Sequence, residues 1–85
     1  MAETITLNDG TVLAGHCIRV DVHLFVYLTG GISMAEGFAI FTQPDRLIRI
    51  VENNHGHEHI YDGYTQLTAI NTEYGNCNLT LRKVI

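Results

Sequence analysis

Residues 17–28 read CIRVDVHLFVYL, and this stretch shows the clearest alternation of side chains in the chain. A period of two predicts a β-strand, because successive side chains of a strand point to opposite faces of the sheet. One predicted face carries Ile18, Val20, Val22, Leu24, Val26 and Leu28, and the other carries Cys17, Arg19, Asp21, His23, Phe25 and Tyr27. The run is long for one strand, so we expect a bend or turn near Asp21. Because Phe25 and Tyr27 are also apolar, we expect this end of the strand to be covered on both faces.

The segment before this strand predicts a hairpin. Ile5 to Leu7 and Thr11 to Leu13 are short β-type runs, and Asn8-Asp9-Gly10 separates them. Asn, Asp and Gly tolerate the positive φ angles that tight hairpin turns require.

The segment after the strand predicts the one helix of the chain. Ser33 and Glu36 have the spacing of a capping box, in which the serine hydroxyl and the glutamate carboxylate each accept from a backbone N–H that the helix leaves unpaired. Met34, Phe38 and Phe41 follow at helical spacing, so we expect a helix over residues 34–42 that Pro44 ends.

The second half of the chain returns to β-structure. We expect one strand from Arg46 to Asn53, a long one from His59 to Asn71, and a last hairpin through residues 73–76 into 78–84. The whole chain, residues 1–85, is thus predicted to be a single α+β domain with about six strands in the order βββ-α-βββ. Its antiparallel sheet should be twisted or barrel-like, with the helix against one face or open end.

Composition and charge exclude several classes of protein. The chain is 46% hydrophobic and only 16% charged, so an apolar patch is expected to remain for a homo-oligomer to cover. Its net charge is −4 and its basic residues form no run, which argues against binding duplex nucleic acid. We expect no membrane span and no signal peptide, since Met1 to Thr4 is not a basic region followed by an apolar one. Two lone cysteines, Cys17 and Cys77, suit a reducing cytoplasm.

Two short stretches carry a resemblance to known proteins. Residues 5–12, ITLNDGTV, and residues 62–67, DGYTQL, resemble small uncharacterised proteins that phages and prophages of gut Gram-positive bacteria encode. The helix followed by Pro44-Asp45 is similar in placement. The resemblance implies a viral origin and transfers no functional residue.

An anion site is predicted where the strand meets the helix. Thr29, Gly30, Gly31 and Ser33 lie between them, and glycines before a helix N-terminus expose N–H groups toward an anion. Arg46 and Arg49 would complete such a site only if each copy of an oligomer supplied one arginine. The alternative is a plain Gly-Gly turn before a capped helix.

A histidine-rich turn and the tyrosines are the other candidates. On a continuous strand, His55, His57 and His59 would lie on one side about 6.6 Å apart, a set that suits zinc, nickel or copper. A solvated hairpin tip is the competing interpretation. Tyr27, Tyr61, Tyr64 and Tyr74 are candidates for stacking on a base, with Tyr61 and Tyr64 on opposite faces of one strand and Tyr74 in a turn.

These observations predict a binding protein without catalytic activity or cofactor. No nucleophile motif is present, and adjacent His16 and Cys17 would face opposite ways on a strand. The predicted function is phage counter-defence in the host cytoplasm, either by sequestering a nucleotide immune signal at a subunit interface or by occluding a host defence protein. The alternatives are a minor virion component or assembly adaptor, and a metal-binding module at the histidine turn.

Overall fold

The computed structural model describes residues 3–84, so Met1 and Ala2, on which the signal-peptide argument partly rests, lie outside the described residues. The chain forms a single α+β domain with one antiparallel sheet of seven strands and one helix after the third strand. The strands are β1 Thr4–Thr6, β2 Val12–Val20, β3 His23–Leu28, β4 Arg49–Asn54, β5 His57–Asp62, β6 Gln66–Glu73 and β7 Asn76–Arg82, and the helix is α1 Met34–Phe41. The predicted class is confirmed, with one more strand than expected.

The sheet has the strand order β5-β4-β1-β2-β3-β7-β6, which places β2 at its centre and leaves β5 and β6 as edges. Over the described residues the sheet is open, so the predicted barrel-like sheet does not form a closed barrel. Each face of an open sheet either packs on another layer or meets solvent. Here α1 and the core cover one face, called the inner face, and no element of the described chain packs on the opposite, outer face.

The alternating stretch at residues 17–28 is two strands rather than one. A two-residue loop, Asp21-Val22, joins β2 to β3, and Val20 pairs with His23 across it. Asp21 has a φ of 57°, as hairpin loops of this length require. A turn near Asp21 is therefore confirmed.

This loop exchanges the faces of the two strands. Cys17 pairs with Val26 on the inner face, whereas Ile18 pairs with Phe25 on the outer face. The prediction that residues 18, 20, 22, 24, 26 and 28 share one face is thus wrong. Leu24, Val26 and Leu28 are buried, whereas Ile18, Val20 and Val22 are 48%, 54% and 36% exposed. The buried residues are Cys17, Leu24, Val26 and Leu28.

The strand β2 changes partners at Gly15. Residues 12–14 pair with β1, and residues 15–20 pair with β3 on the other edge. The Gly15 N–H donates to the Glu3 carbonyl, and the β3 backbone lies so close that a Cβ at Gly15 would stand 2.3 Å from the Tyr27 carbonyl oxygen. Only a residue without a side chain permits this approach.

Helix α1 begins as predicted and packs through a glycine. The Ser33 hydroxyl accepts from the Glu36 N–H, and the Glu36 carboxylate accepts from the Ser33 N–H, so the capping box is confirmed. Gly37 lies directly on Cys77, and a Cβ there would meet the Cys77 sulfur at 2.7 Å. The helix and strands enclose a core of Ile5, Leu7, Cys17, Leu24, Val26, Leu28, Phe41, Leu47, Ile50, Tyr64, Cys77, Leu79 and Leu81.

The second half departs from the prediction at two points. Pro44 does follow the helix, but Pro44–Leu47 forms a 3-10 helix, so Arg46 lies outside β4. The predicted strand from His59 to Asn71 is two strands, because Gly63, with a φ of 83°, turns the chain between β5 and β6. The Gly63 N–H donates to the Ile48 carbonyl, and its own carbonyl accepts from Val84, which fixes the turn. The first hairpin and the hairpin at residues 73–76 are confirmed.

Substitution of Gly15 by alanine tests the close approach of β2 and β3. We expect Gly15→Ala to lower the free energy of unfolding by about 2 kcal/mol, because backbone atoms must move to admit the methyl group. Gly30→Ala is the matched control, since its Cβ would meet only the Ala14 side chain, at an ordinary 3.5 Å. Urea unfolding measures both, and equal stabilities for the two variants would contradict the expectation.

Candidate functional site

The outer face of β2, β3, β7 and β6 carries side chains in rows that run across the strands. One row is His16, Tyr27, Asn78 and Asn71, and the next is Ile18, Phe25, Thr80 and Ala69. Residues paired in this way lie on the same face and within contact distance of their neighbours.

A bulge in β6 determines which of its residues face outward. The register shifts between Leu67 and Ala69, so that Ala69 pairs with Thr80 and Asn71 with Asn78. The extra residue, Thr68, donates through its hydroxyl to the Thr80 carbonyl at 3.1 Å. Bulges of this kind redirect side chains along a strand and are common at sheet edges and next to functional sites.

These rows surround a depression of about 250 Å³. Its outward-facing lining consists of Phe25, Tyr27, Ala69, Asn71, Glu73, Asn78 and Thr80. The imidazole of His16 stacks on the Tyr27 ring, with centroids 5.1 Å apart and planes inclined by 24°. The depression thus offers aromatic rings, two side-chain amides, a hydroxyl and one carboxylate, and among its described lining residues there is no lysine or arginine.

A second polar group lies on the inner face, where Glu52 of β4 is buried with only 4% exposure. Its Oε2 accepts from the Cys17 backbone N–H at 2.7 Å, and its Oε1 accepts from the Tyr61 hydroxyl at 3.3 Å. The Gly15 N–H on the same edge of β2 donates to the Glu3 carbonyl directly before β1, so the carboxylate continues that edge beyond the pairing with β1. The cluster is therefore a structural connection between β4 and β2.

Burial makes the groups around Glu52 poor acids. Burial, and then the charge of Glu52, raises the pKa of the Cys17 thiol far above its ordinary value. The same two causes raise the pKa of Tyr61 to about 12. Burial also raises the pKa of Cys77. Both cysteines are free and buried, and neither is a thiolate near neutral pH.

The residues of the predicted anion site are not arranged around an anion. The Thr29 N–H donates to the Ala14 carbonyl, and the Glu36 carboxylate accepts from both the N–H and the hydroxyl of Ser33. Gly30 and Gly31 form the exposed turn between them. A negative charge therefore lies where a phosphate was expected.

The two arginines expected at that site lie elsewhere. Arg46 follows the C-terminal end of α1, about 12 Å of helix away from Ser33, and its Nε lies 2.9 Å from the Asp9 carboxylate. Arg49 is exposed at the start of β4 and pairs in register with Asp62.

The three histidines lie at the exposed β4–β5 hairpin. His55 is in the turn with a φ of 51°, and His57 and His59 follow on β5, opposite Asn54 and Glu52. Over the described residues, no group of three or more His, Cys, Asp or Glu side chains is placed to hold a metal ion. The turn breaks the even spacing on which the metal prediction depended, so the solvated hairpin tip is the interpretation that this geometry favours.

The tyrosines have four different environments. Tyr27 lines the depression, and Tyr74 is 95% exposed in the β6–β7 turn, as expected. Tyr64 is buried after β5 rather than on the strand, and its ring meets Tyr61 edge-on at 6.3 Å. The prediction that Tyr61 and Tyr64 lie on opposite faces of one strand is wrong.

Comparison with known proteins adds no relative. No family model, no curated protein and no solved structure matches the chain, so the resemblance to phage-encoded proteins stays a prediction. In the part of the chain that is described, none of the helical structure has the length and apolar character to cross a membrane.

The raised pKa of Tyr61 predicts a loss of stability at high pH. The folded state favours the neutral phenol of Tyr61, and this preference adds to the free energy of unfolding. The added stability is complete below pH 10 and is lost as the pH rises through about 12. We expect the stability difference between the protein and its Tyr61→Phe variant to change over this interval, as measured by urea unfolding. Glu52→Gln should lower the pKa of Tyr61, measured by tyrosinate absorbance against Tyr61→Phe. A Tyr61 that titrates near 10 in the unsubstituted protein would contradict the buried carboxylate contact.

Proposed function

We propose that this chain is a non-catalytic binding protein that holds a nucleoside-like ligand, a flat nitrogen heterocycle with its sugar, in the depression of the outer face. The observation that carries the proposal is the combination of Phe25 and Tyr27 with the amides of Asn71 and Asn78 in one depression. Aromatic rings stack on the face of any base, and amides donate to and accept from its edge.

The volume of the depression supports a single ring system. Sites that bury drug-sized ligands measure roughly 300–1,000 Å³, and the depression here has about 250 Å³. A dinucleotide would exceed it, whereas one base with part of its sugar matches that scale.

The charge of the lining supports the nucleoside portion over a phosphate. Glu73 is the one charged residue among the described lining side chains, and a carboxylate accepts hydrogen bonds from sugar hydroxyls or from ring N–H groups. Any phosphate on the ligand would project into solvent. A nucleotide signal would then be recognised by its base and sugar, away from the glycine turn at Gly30 and Gly31.

The biological use that we propose is counter-defence in the host cytoplasm. A protein that removes a signal by stoichiometric binding needs an affinity near nanomolar, about −12 kcal/mol. Buried cysteines with raised pKa values and a structural Glu52 cluster favour binding over catalysis. The phage resemblance supplies the setting.

A separate surface favours the assembly adaptor as the second candidate. Met34 and Phe38 lie one helical turn apart on α1, and they are 47% and 54% exposed. Such a pair suits contact with another protein. Recovery of the chain from purified virions, without nucleoside binding, would favour this candidate.

The ligand proposal is tested with a panel of nucleosides and nucleotides in a thermal-shift assay, followed by calorimetry. Stacking contributes about 1–3 kcal/mol per base, so we expect Tyr27→Leu to weaken binding by about tenfold or more. Asn78→Ala should also weaken it, because the amide at the ring edge is lost.

Tyr74→Leu is the matched control, since Tyr74 is exposed in a turn outside the depression. It should leave the affinity unchanged. The proposal is wrong if no nucleoside or nucleotide raises the melting temperature, or if Tyr74→Leu and Tyr27→Leu weaken binding equally.

A further inference from the structure

We infer that a second copy of this chain packs on the outer face, sheet against sheet, along the apolar residues of β2. The inference starts from the central position of β2 in the sheet. Its outward-facing residues include Val12, Ile18 and Val20, which are 60%, 48% and 54% exposed. We call these three residues the β2 stripe. An antiparallel sheet with one face in water normally carries polar residues on that face, so an apolar stripe along the central strand calls for a cover.

The residues around the β2 stripe are ordered as in a protein interface. Ala14 and Phe25 are next to it, whereas Glu58 of β5, Glu73 of β6 and Arg82 at the end of β7 lie at the margins of the same face. An apolar centre surrounded by a polar and charged margin is the usual composition of such interfaces.

The area of the face matches what a stable dimer needs. With strands about 4.8 Å apart and a rise of about 3.3 Å per residue, the seven strands of the sheet together cover roughly 700 Å². The domain measures 32 × 29 × 24 Å, so its broad side accommodates that area. A standard interface buries about 800 Å² on each partner.

Charge favours a second copy over other occupants. The chain carries a net charge of −4, so it repels nucleic acid and anionic lipid. Among the described residues next to the β2 stripe are the imidazoles of His16 and His23, and the Glu3 carboxylate lies 4.0 Å from the His16 Nδ1. A symmetric pair also places the same stripe on both partners, as a two-fold interface requires.

A second copy would also cover the open side of the depression. Ile18 and Phe25 pair across the sheet, so the β2 stripe and the lining of the depression share one row. Sheets that pack face to face lie about 10 Å apart. The dimer rests on the outer face with the β2 stripe at its centre, and only this closing of the depression rests on the proposed function.

The test is the mass in solution, by light scattering during gel filtration. We expect about twice the monomer mass of 9.5 kDa for the unsubstituted chain. Ile18→Lys should give the monomer mass, because it places a charge in the centre of the interface. Phe38→Lys is the matched control, with a similar exposure of 54% on α1, and it should remain a dimer.

Circular dichroism checks that each variant is folded, and Val12→Lys at the other end of the stripe replaces Ile18→Lys if the latter unfolds. A monomer mass for the unsubstituted chain at all accessible concentrations would overturn the inference, as would a dimer that Phe38→Lys disrupts and the stripe variants do not. Tyr27→Leu separates the two proposals, since it should remain a dimer and bind the ligand about tenfold more weakly or worse. A dimer that binds no nucleoside overturns only the proposed function, and a monomer that binds one overturns only the dimer.

Discussion

The two-residue loop Asp21-Val22 determines which residues of the central strand are buried. Residues paired across an antiparallel hairpin share a face, and a loop of two residues pairs even-numbered positions of β2 with odd-numbered positions of β3. Cys17 therefore joins Val26 in the core, and Ile18 joins Phe25 on the outer face. The even-numbered apolar residues continue from β2 into β3, but the two-residue loop places the even-numbered positions of the two strands on opposite faces. Those of β3 are therefore buried, and those of β2 are exposed.

Two further contacts hold β2 in this position. At Gly15 the strand leaves β1 and pairs with β3, at a distance that excludes any side chain. Two residues later, the buried carboxylate of Glu52 accepts the Cys17 N–H and takes the place of a neighbouring strand. The contacts to the Cys17 N–H and the Tyr61 hydroxyl offset part of the cost of burying the carboxylate. The fold thus uses a buried carboxylate to support its central strand.

Local signals made the fold class predictable. The capping box at Ser33 and Glu36, the first hairpin and the position of the helix follow from short-range chemistry that the sequence displays directly. The division of the segment from His59 to Asn71 was missed because its apolar residues continue on both sides of Gly63, and the turn depends on hydrogen bonds to Ile48 and Val84, far apart in sequence. The predicted strand wrongly includes Arg46, because neither the 3-10 helix nor the ion pair of Arg46 with Asp9 has a signal in the local pattern.

The candidate site was largely beyond reach of the sequence. The sequence predicts Tyr27 as a candidate stacking residue, but it gives no signal for Asn71 and Asn78, because their meeting depends on the strand order and on the bulge before Ala69. At the expected site at Gly30 and Gly31, the capping carboxylate of Glu36 already occupies the helix N-terminus, which disfavours an anion there. An excess of apolar residues did indicate uncovered surface, and the structure places three of the exposed large hydrophobic residues, Val12, Ile18 and Val20, on the outer face of β2.

The central claim is that the apolar residues turned outward on β2 are covered by a second copy in the working protein. Intermolecular nuclear Overhauser effects in a mixture of isotope-labelled and unlabelled chains measure this directly. We expect contacts between copies at the methyl groups of Val12, Ile18 and Val20 and none at Met34. Methyl groups of β2 that show no contact with the other copy, or contacts centred on Met34 instead, would contradict it.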